Sequence, residues 1–92
     1  MSDVDACADD ILVVDDTPAS LKLLESVLSS AGYWVRLATD GEGALFSAKL
    51  HPPSMILLDI KMPGMDGFEV CRRLKEDERT RSIPVILSLI HI

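Results

Sequence analysis

Asp15, Asp16 and Asp59 are the side chains on which chemistry could rest. Two adjacent carboxylates close the apolar run Ile11-Leu12-Val13-Val14, and a third closes Met55-Ile56-Leu57-Leu58. Taken singly, an aspartate after a strand reads equally well as a turn residue or a helix cap. Three of them at the ends of two buried strands mean more. In an open parallel α/β sheet the binding crevice forms beyond the carboxyl ends of the strands, where the winding direction reverses. If the first and third strands are neighbours, all three carboxylates converge there. Like charges held so close repel one another unless a cation neutralises them. A hard, oxygen-seeking ion, Mg²⁺ or in its place Mn²⁺, is the natural occupant, and with few protein ligands it would keep several waters. A carboxylate is a weak nucleophile, yet beside such an ion it can take a phosphoryl group from a reactive phosphohistidine or acyl phosphate.

The elements that must position these residues are legible as alternating patterns. Ile11 to Val14 is short, apolar and rich in β-branched residues, as a strand buried on both faces should be. Thr17-Pro18 then offers an N-cap and a proline at the first helical position, and Leu21, Leu24, Leu28 and Ala31 recur at helical steps up to Gly32. Tyr33 to Ala38 alternates, with Tyr33, Val35 and Leu37 on one face, which suits an edge strand. Asp40 can cap a second helix that carries Ala44, Leu45 and Ala48 inward and stops at His51-Pro52-Pro53. After the second apolar run and the loop Lys61-Met62-Pro63-Gly64-Met65 comes a helix from about Asp66 to Glu76, with Val70, Cys71 and Leu74 inward. Ile83 to Leu87 begins a fourth strand, with Pro84 near its start where a missing N–H is tolerated. The order β-α-β-α-β-α-β predicts a doubly wound, mainly parallel α/β sheet.

Three segments together carry a resemblance. Ile11 to Asp16, Leu57-Leu58-Asp59-Ile60-Lys61-Met62-Pro63-Gly64-Met65-Asp66-Gly67 and Ile83-Pro84-Val85-Ile86 are similar to three successive signatures of the response-regulator receiver family, in order and at its spacing. The resemblance implies a flavodoxin-like fold with strand order 2-1-3-4. It implies Asp59 as phosphoacceptor, Asp16 as a direct metal ligand, Asp15 as an acid that positions the metal, and the backbone carbonyl of Lys61 as a further ligand. It also implies a histidine kinase or histidine phosphotransfer protein as the phosphoryl donor, in the cytoplasm. The run Asp15 to Pro18 and the stretch Phe68 to Lys75 look most like receivers that precede diguanylate-cyclase output domains or belong to hybrid sensor kinases.

The chain also departs from that pattern. The family's switch hydroxyl stands five residues after the proline of the fourth strand, where Leu89 stands here; Ser88 is one position early, an offset that turns a side chain to the other face of a strand. The fourth helix, the fifth strand with its lysine and the fifth helix are missing, so an incomplete receiver is expected. Residues 1–9 read as a flexible acidic leader, 10–87 as the partial domain, and 88–92 as a tail from a frameshift, a cloning junction or a truncated gene. Without the last βα unit the fourth strand is an open edge, and a homodimer is expected. The competing function is a signalling-incompetent module that only self-associates. An aspartyl-phosphate enzyme on a similar sheet is disfavoured, because such enzymes use a second aspartate two residues after the nucleophile and Lys61 stands there.

Composition narrows the classes further. The chain has 92 residues and a net charge of −6, which suits one small domain and neither nucleic acid nor an anionic membrane as a direct partner. No apolar run approaches the roughly 20 residues of a membrane span. Cys7 and Cys71 fit no metal or redox spacing and read as free thiols. His51 reads as a loop residue, Trp34 as an exposed edge-strand side chain, Met62 and Met65 as packing around Asp59, and the charges from Arg72 to Arg79 as the solvated end of a helix.

Overall fold

The structure, a computed structural model, describes residues 9–88. The leader is therefore outside the described residues except for Asp9, and the tail except for Ser88. Seven elements follow one another: β1 (Asp10–Val14), α1 (Pro18–Ser30), β2 (Trp34–Ala38), α2 (Gly41–Leu50), β3 (Met55–Asp59), α3 (Gly67–Glu76) and β4 (Val85–Ser88). The four strands form one sheet in the order β2-β1-β3-β4, and every pairing is parallel. Strand order and class are those expected, and among the described residues there is no fourth helix and no fifth strand.

Alternate residues of the sheet build two cores. Leu12, Val14, Ile56 and Leu58 face α2 and α3, packing with Ala44, Leu45, Ala48, Val70 and Leu74. Ile11 and Val13 face α1 and meet Leu21, with Leu24, Leu28, Val35 and Leu57 at the margin. Leu12, Ile56, Leu58, Val70 and Leu74 are wholly buried, and each such side chain contributes about 1.5–3 kcal/mol of transfer free energy. The burial of β1 and β3 on both faces explains their unbroken apolar runs. The edge strand β2 starts at Trp34, so Tyr33, expected on it, lies just before it; both Tyr33 and Leu37 stay exposed at the margin of the face that α1 covers.

Helix ends follow local chemistry, with one correction. The Asp40 carboxylate accepts from the Gly43 N–H at 2.6 Å, and that of Asp66 from the Glu69 N–H at 2.9 Å, each satisfying an otherwise orphan donor. α1 ends in a left-handed Gly32, φ 98°, with the Tyr33 N–H returning to the Leu28 carbonyl. Thr17 does stand at the N-cap of α1, but its side chain makes no capping bond. Its amide is taken instead by the carboxylate of Asp15, two residues back, in an Asx-type turn.

Candidate functional site

Because β1 and β3 are adjacent and in register up to Val14 and Leu58, the next residue of each, Asp15 and Asp59, emerges at the same end of the sheet. Their strands stay pinned just past these residues: the Asp15 N–H donates to the Ala38 carbonyl and the Ile60 N–H to that of Ser88. Asp16 follows on the loop. Asp15 and Asp59 are buried, Asp16 is exposed, and each offers a carboxylate oxygen within 4.8 Å of the other two. The three residues singled out in the sequence are thus brought together at one place.

The two buried carboxylates are oriented by backbone amides. Asp15 Oδ1 accepts from the Thr17 N–H at 2.9 Å, and Asp59 Oδ1 from the Lys61 N–H at 3.1 Å. Asp59 Oδ2 is buried and has no hydrogen-bond partner. A buried carboxylate oxygen left without a partner is costly, and three hard oxygen donors around it fit a Mg²⁺-type cation rather than a soft metal. Asp15, Asp16 and Asp59 could therefore hold such an ion. Lys61 contributes its amide to Asp59, a contact the sequence did not suggest.

The loop after Asp59 is fastened to the fold at several points. Met62 is buried in the core and Met65 packs against it, in keeping with their reading as packing residues. Gly64 takes a left-handed conformation, φ 78°. The Gly67 N–H donates to the Ile60 carbonyl at 3.0 Å, and the Gly67 Cα lies against the Asp59 peptide. Sequence reasoning used Gly67 only as a motif letter and missed this contact; the glycine directly after a helix cap was the available signal.

Other expectations need adjustment. Ser88, expected to turn away, is the register partner of Asp59 and lines a small cavity with Asp15, Asp59, Leu24 and Leu57; partners across a parallel pair share a face. The charges from Arg72 to Arg79 are not simply solvated. Lys75 Nζ donates to the carbonyls of Arg81 and Ile83, and the buried Thr80 Oγ1 donates to that of Leu74 at 2.6 Å, so the α3–β4 connection is tied down. Hydrogen bonds from Arg72, and then Arg73, lower the pKa of Glu69 to about 2. The Arg79 side chain, with its backbone N–H, lowers that of Asp77 to about 2. Arg36 forms a second unforeseen cluster, bonding Asp10, Ser47 and the His51 carbonyl and so clamping β1, β2 and the end of α2.

Comparison with known proteins gives concordant findings. The family profile described as the response regulator receiver domain matches residues 11–91. The chain is 56% identical over 77 residues to the response regulator PleD of Caulobacter vibrioides, a match covering 84% of this chain and 17% of that protein. It is similar to the receiver domain of a signal transduction histidine kinase from Syntrophus aciditrophicus, with a TM-score of 0.85, 38% identity, and coverage of 92% of this chain and 64% of the other. It is also similar to the receiver domain of a sensor histidine kinase from Pseudomonas aeruginosa PAO1, solved with a magnesium ion coordinated in its active site cleft. There the TM-score is 0.84 and the identity 34%, over 88% of this chain and 66% of the other. The chain spans less than two thirds of the length of each of these three relatives.

Proposed function

The chain belongs to the response regulator receiver domain family, and from that premise we propose that Asp59 accepts a phosphoryl group from a histidine kinase or a histidine phosphotransfer protein. Asp15, Asp16, Asp59 and the backbone carbonyl of Lys61 would hold Mg²⁺ or Mn²⁺ beside it. The observation that carries this reading is the state of the Asp59 carboxylate: one oxygen is fixed by the Lys61 N–H, the other is buried and unpartnered, and the group lies beside two more carboxylates.

The residues divide the work in a simple way. The Lys61 amide orients the Asp59 carboxylate, which supplies the attacking oxygen. As the new O–P bond forms, the P–N bond to the donor imidazole breaks, and its electron pair stays on the imidazole nitrogen. The Thr17 amide keeps Asp15 turned toward the same crevice. When bound, the cation supplies neutralisation of the charge shared between carboxylates and phosphoryl oxygens. Receiver domains are signalling modules, and any further activity belongs to the rest of a longer protein in which this segment would sit, in the cytoplasm, ahead of an output domain. Among the described residues no helix is long and apolar enough to cross a membrane.

The direct test is intact mass after incubation with acetyl phosphate, with and without Mg²⁺. One Mg²⁺-dependent phosphoryl adduct is expected on the wild type and none on Asp59→Asn; an adduct of equal yield on the variant would sink the assignment.

A second reading, a homodimer in which the chain only associates, is favoured by one observation. β4 is an edge strand among the described residues and Ile86 on it is 49% exposed. Pairing or covering that edge would bury both. Light scattering across a concentration series decides: a dimer weakened by Ile86→Lys supports association, and a monomer at high concentration removes it.

A further inference from the structure

Gly67 opens α3 with an ordinary backbone conformation, since the glycines with positive φ are Gly32 and Gly64. Conformation therefore does not require glycine there, and alanine is the better helix former. Space does require it. A Cβ at Gly67 would lie 2.5 Å from the carbonyl oxygen of Asp59, 2.8 Å from Cα of Ile60 and 3.1 Å from the Asp59 carbonyl carbon. All three are backbone atoms of the very peptide that carries the Asp59 side chain, and none can rotate aside. The Gly67 N–H bonds the Ile60 carbonyl at 3.0 Å, and the Asp66 cap holds the first turn of α3 in that position.

Gly41 offers an internal contrast. A Cβ there would meet Cγ2 of Val70 at 2.8 Å and Sδ of Met65 at 3.0 Å. The crowding is similar, but the nearest atoms are side-chain atoms, of which Met65 Sδ is the most mobile, and none belongs to the Asp59–Ile60 peptide.

We propose that Gly67 is a positioning residue for the aspartate site. Its bare Cα lets the first turn of α3 close onto the Asp59–Ile60 peptide, and that contact holds the Asp59 carboxylate in convergence with Asp15 and Asp16. The proposal rests on the phosphoacceptor reading only for its biological meaning; its physical content is the placement of a carboxylate.

The test compares Gly67→Ala with Gly41→Ala in the full chain, reading Mg²⁺ affinity by calorimetry, the rate of adduct formation with acetyl phosphate, and the melting temperature. Gly67→Ala is expected to weaken Mg²⁺ binding and slow the adduct by about tenfold or more, in the range of losses seen when the groups that orient metal ligands are disturbed. Gly41→Ala should leave both within about threefold at a comparable fall in melting temperature. A folded Gly67→Ala with wild-type Mg²⁺ affinity overturns the proposal. If that variant does not fold, hydrogen exchange on the wild type decides instead. The Gly67 amide, which is not bonded to any carboxylate, should be protected about tenfold more with Mg²⁺ than without, and unchanged protection overturns the proposal. A wild type that binds Mg²⁺, shows this protection and takes no phosphoryl group would remove the phosphoacceptor reading while supporting the positioning role.

Discussion

At the scale of single residues, the arrangement separates orientation from charge. Asp15 and Asp59 each give one oxygen to a backbone amide two residues on, and an uncharged amide side chain can accept that same bond. Asp15→Asn should therefore keep its turn while removing one of three crowded negative charges. The expected outcome is a melting temperature equal to or above that of the wild type in metal-free buffer, with Mg²⁺ affinity lowered by at least about tenfold. Differential scanning fluorimetry with and without Mg²⁺ reads both quantities, and a variant with unaltered Mg²⁺ response would exclude Asp15 from the metal's neighbourhood. The three aspartates were legible because each ends an apolar run. Their amide partners were not, since an Asx turn is a conformational outcome and Thr17 looked like a cap in its own right.

At the scale of elements, α3 shows what sequence pattern reveals and what it hides. Its inward residues Val70 and Leu74 repeat at a helical step and are wholly buried. Its outer face carries Glu69, Arg72, Arg73 and Glu76 in ion pairs three and four residues apart. Glu69 and Asp77 have pKa values lowered to about 2 by their arginine partners. A depressed carboxylate pKa stabilises the folded state above the unfolded value, so this contribution is complete above about pH 4.5 and disappears as pH falls toward 2. Both groups are half-buried at the surface and their arginine partners are exposed, so the effect should be small and weaken with salt. Acid titrations by circular dichroism should show Glu69→Gln and Asp77→Asn with shallower loss between pH 4.5 and 2 than the wild type, a difference that shrinks in 1 M NaCl. Period and spacing gave every element within a few residues. Close approaches escaped, as at Gly67, because they depend on where two elements meet and not on the composition of either; the Thr80 and Lys75 ties to backbone carbonyls escaped for the same reason.

At the scale of the whole molecule, the sheet is covered unequally among the described residues, by α2 and α3 on one face and by α1 alone on the other. The strand order 2-1-3-4 also has a kinetic meaning. β1 pairs with its neighbour in sequence, β2, across one helix, whereas its pairing with β3 closes the longer loop that joins Asp10 to Ser54, 44 residues apart, and is expected to form later. Such distant closures come late and slowly. The aspartate cluster exists only after that closure, so a cation can recognise the finished sheet and hardly any state before it. Mg²⁺ should then leave the folding limb of a chevron nearly untouched and lower the unfolding limb. In the cell the ion would act as a lock on the native state's lifetime, closed only once the chain has finished folding.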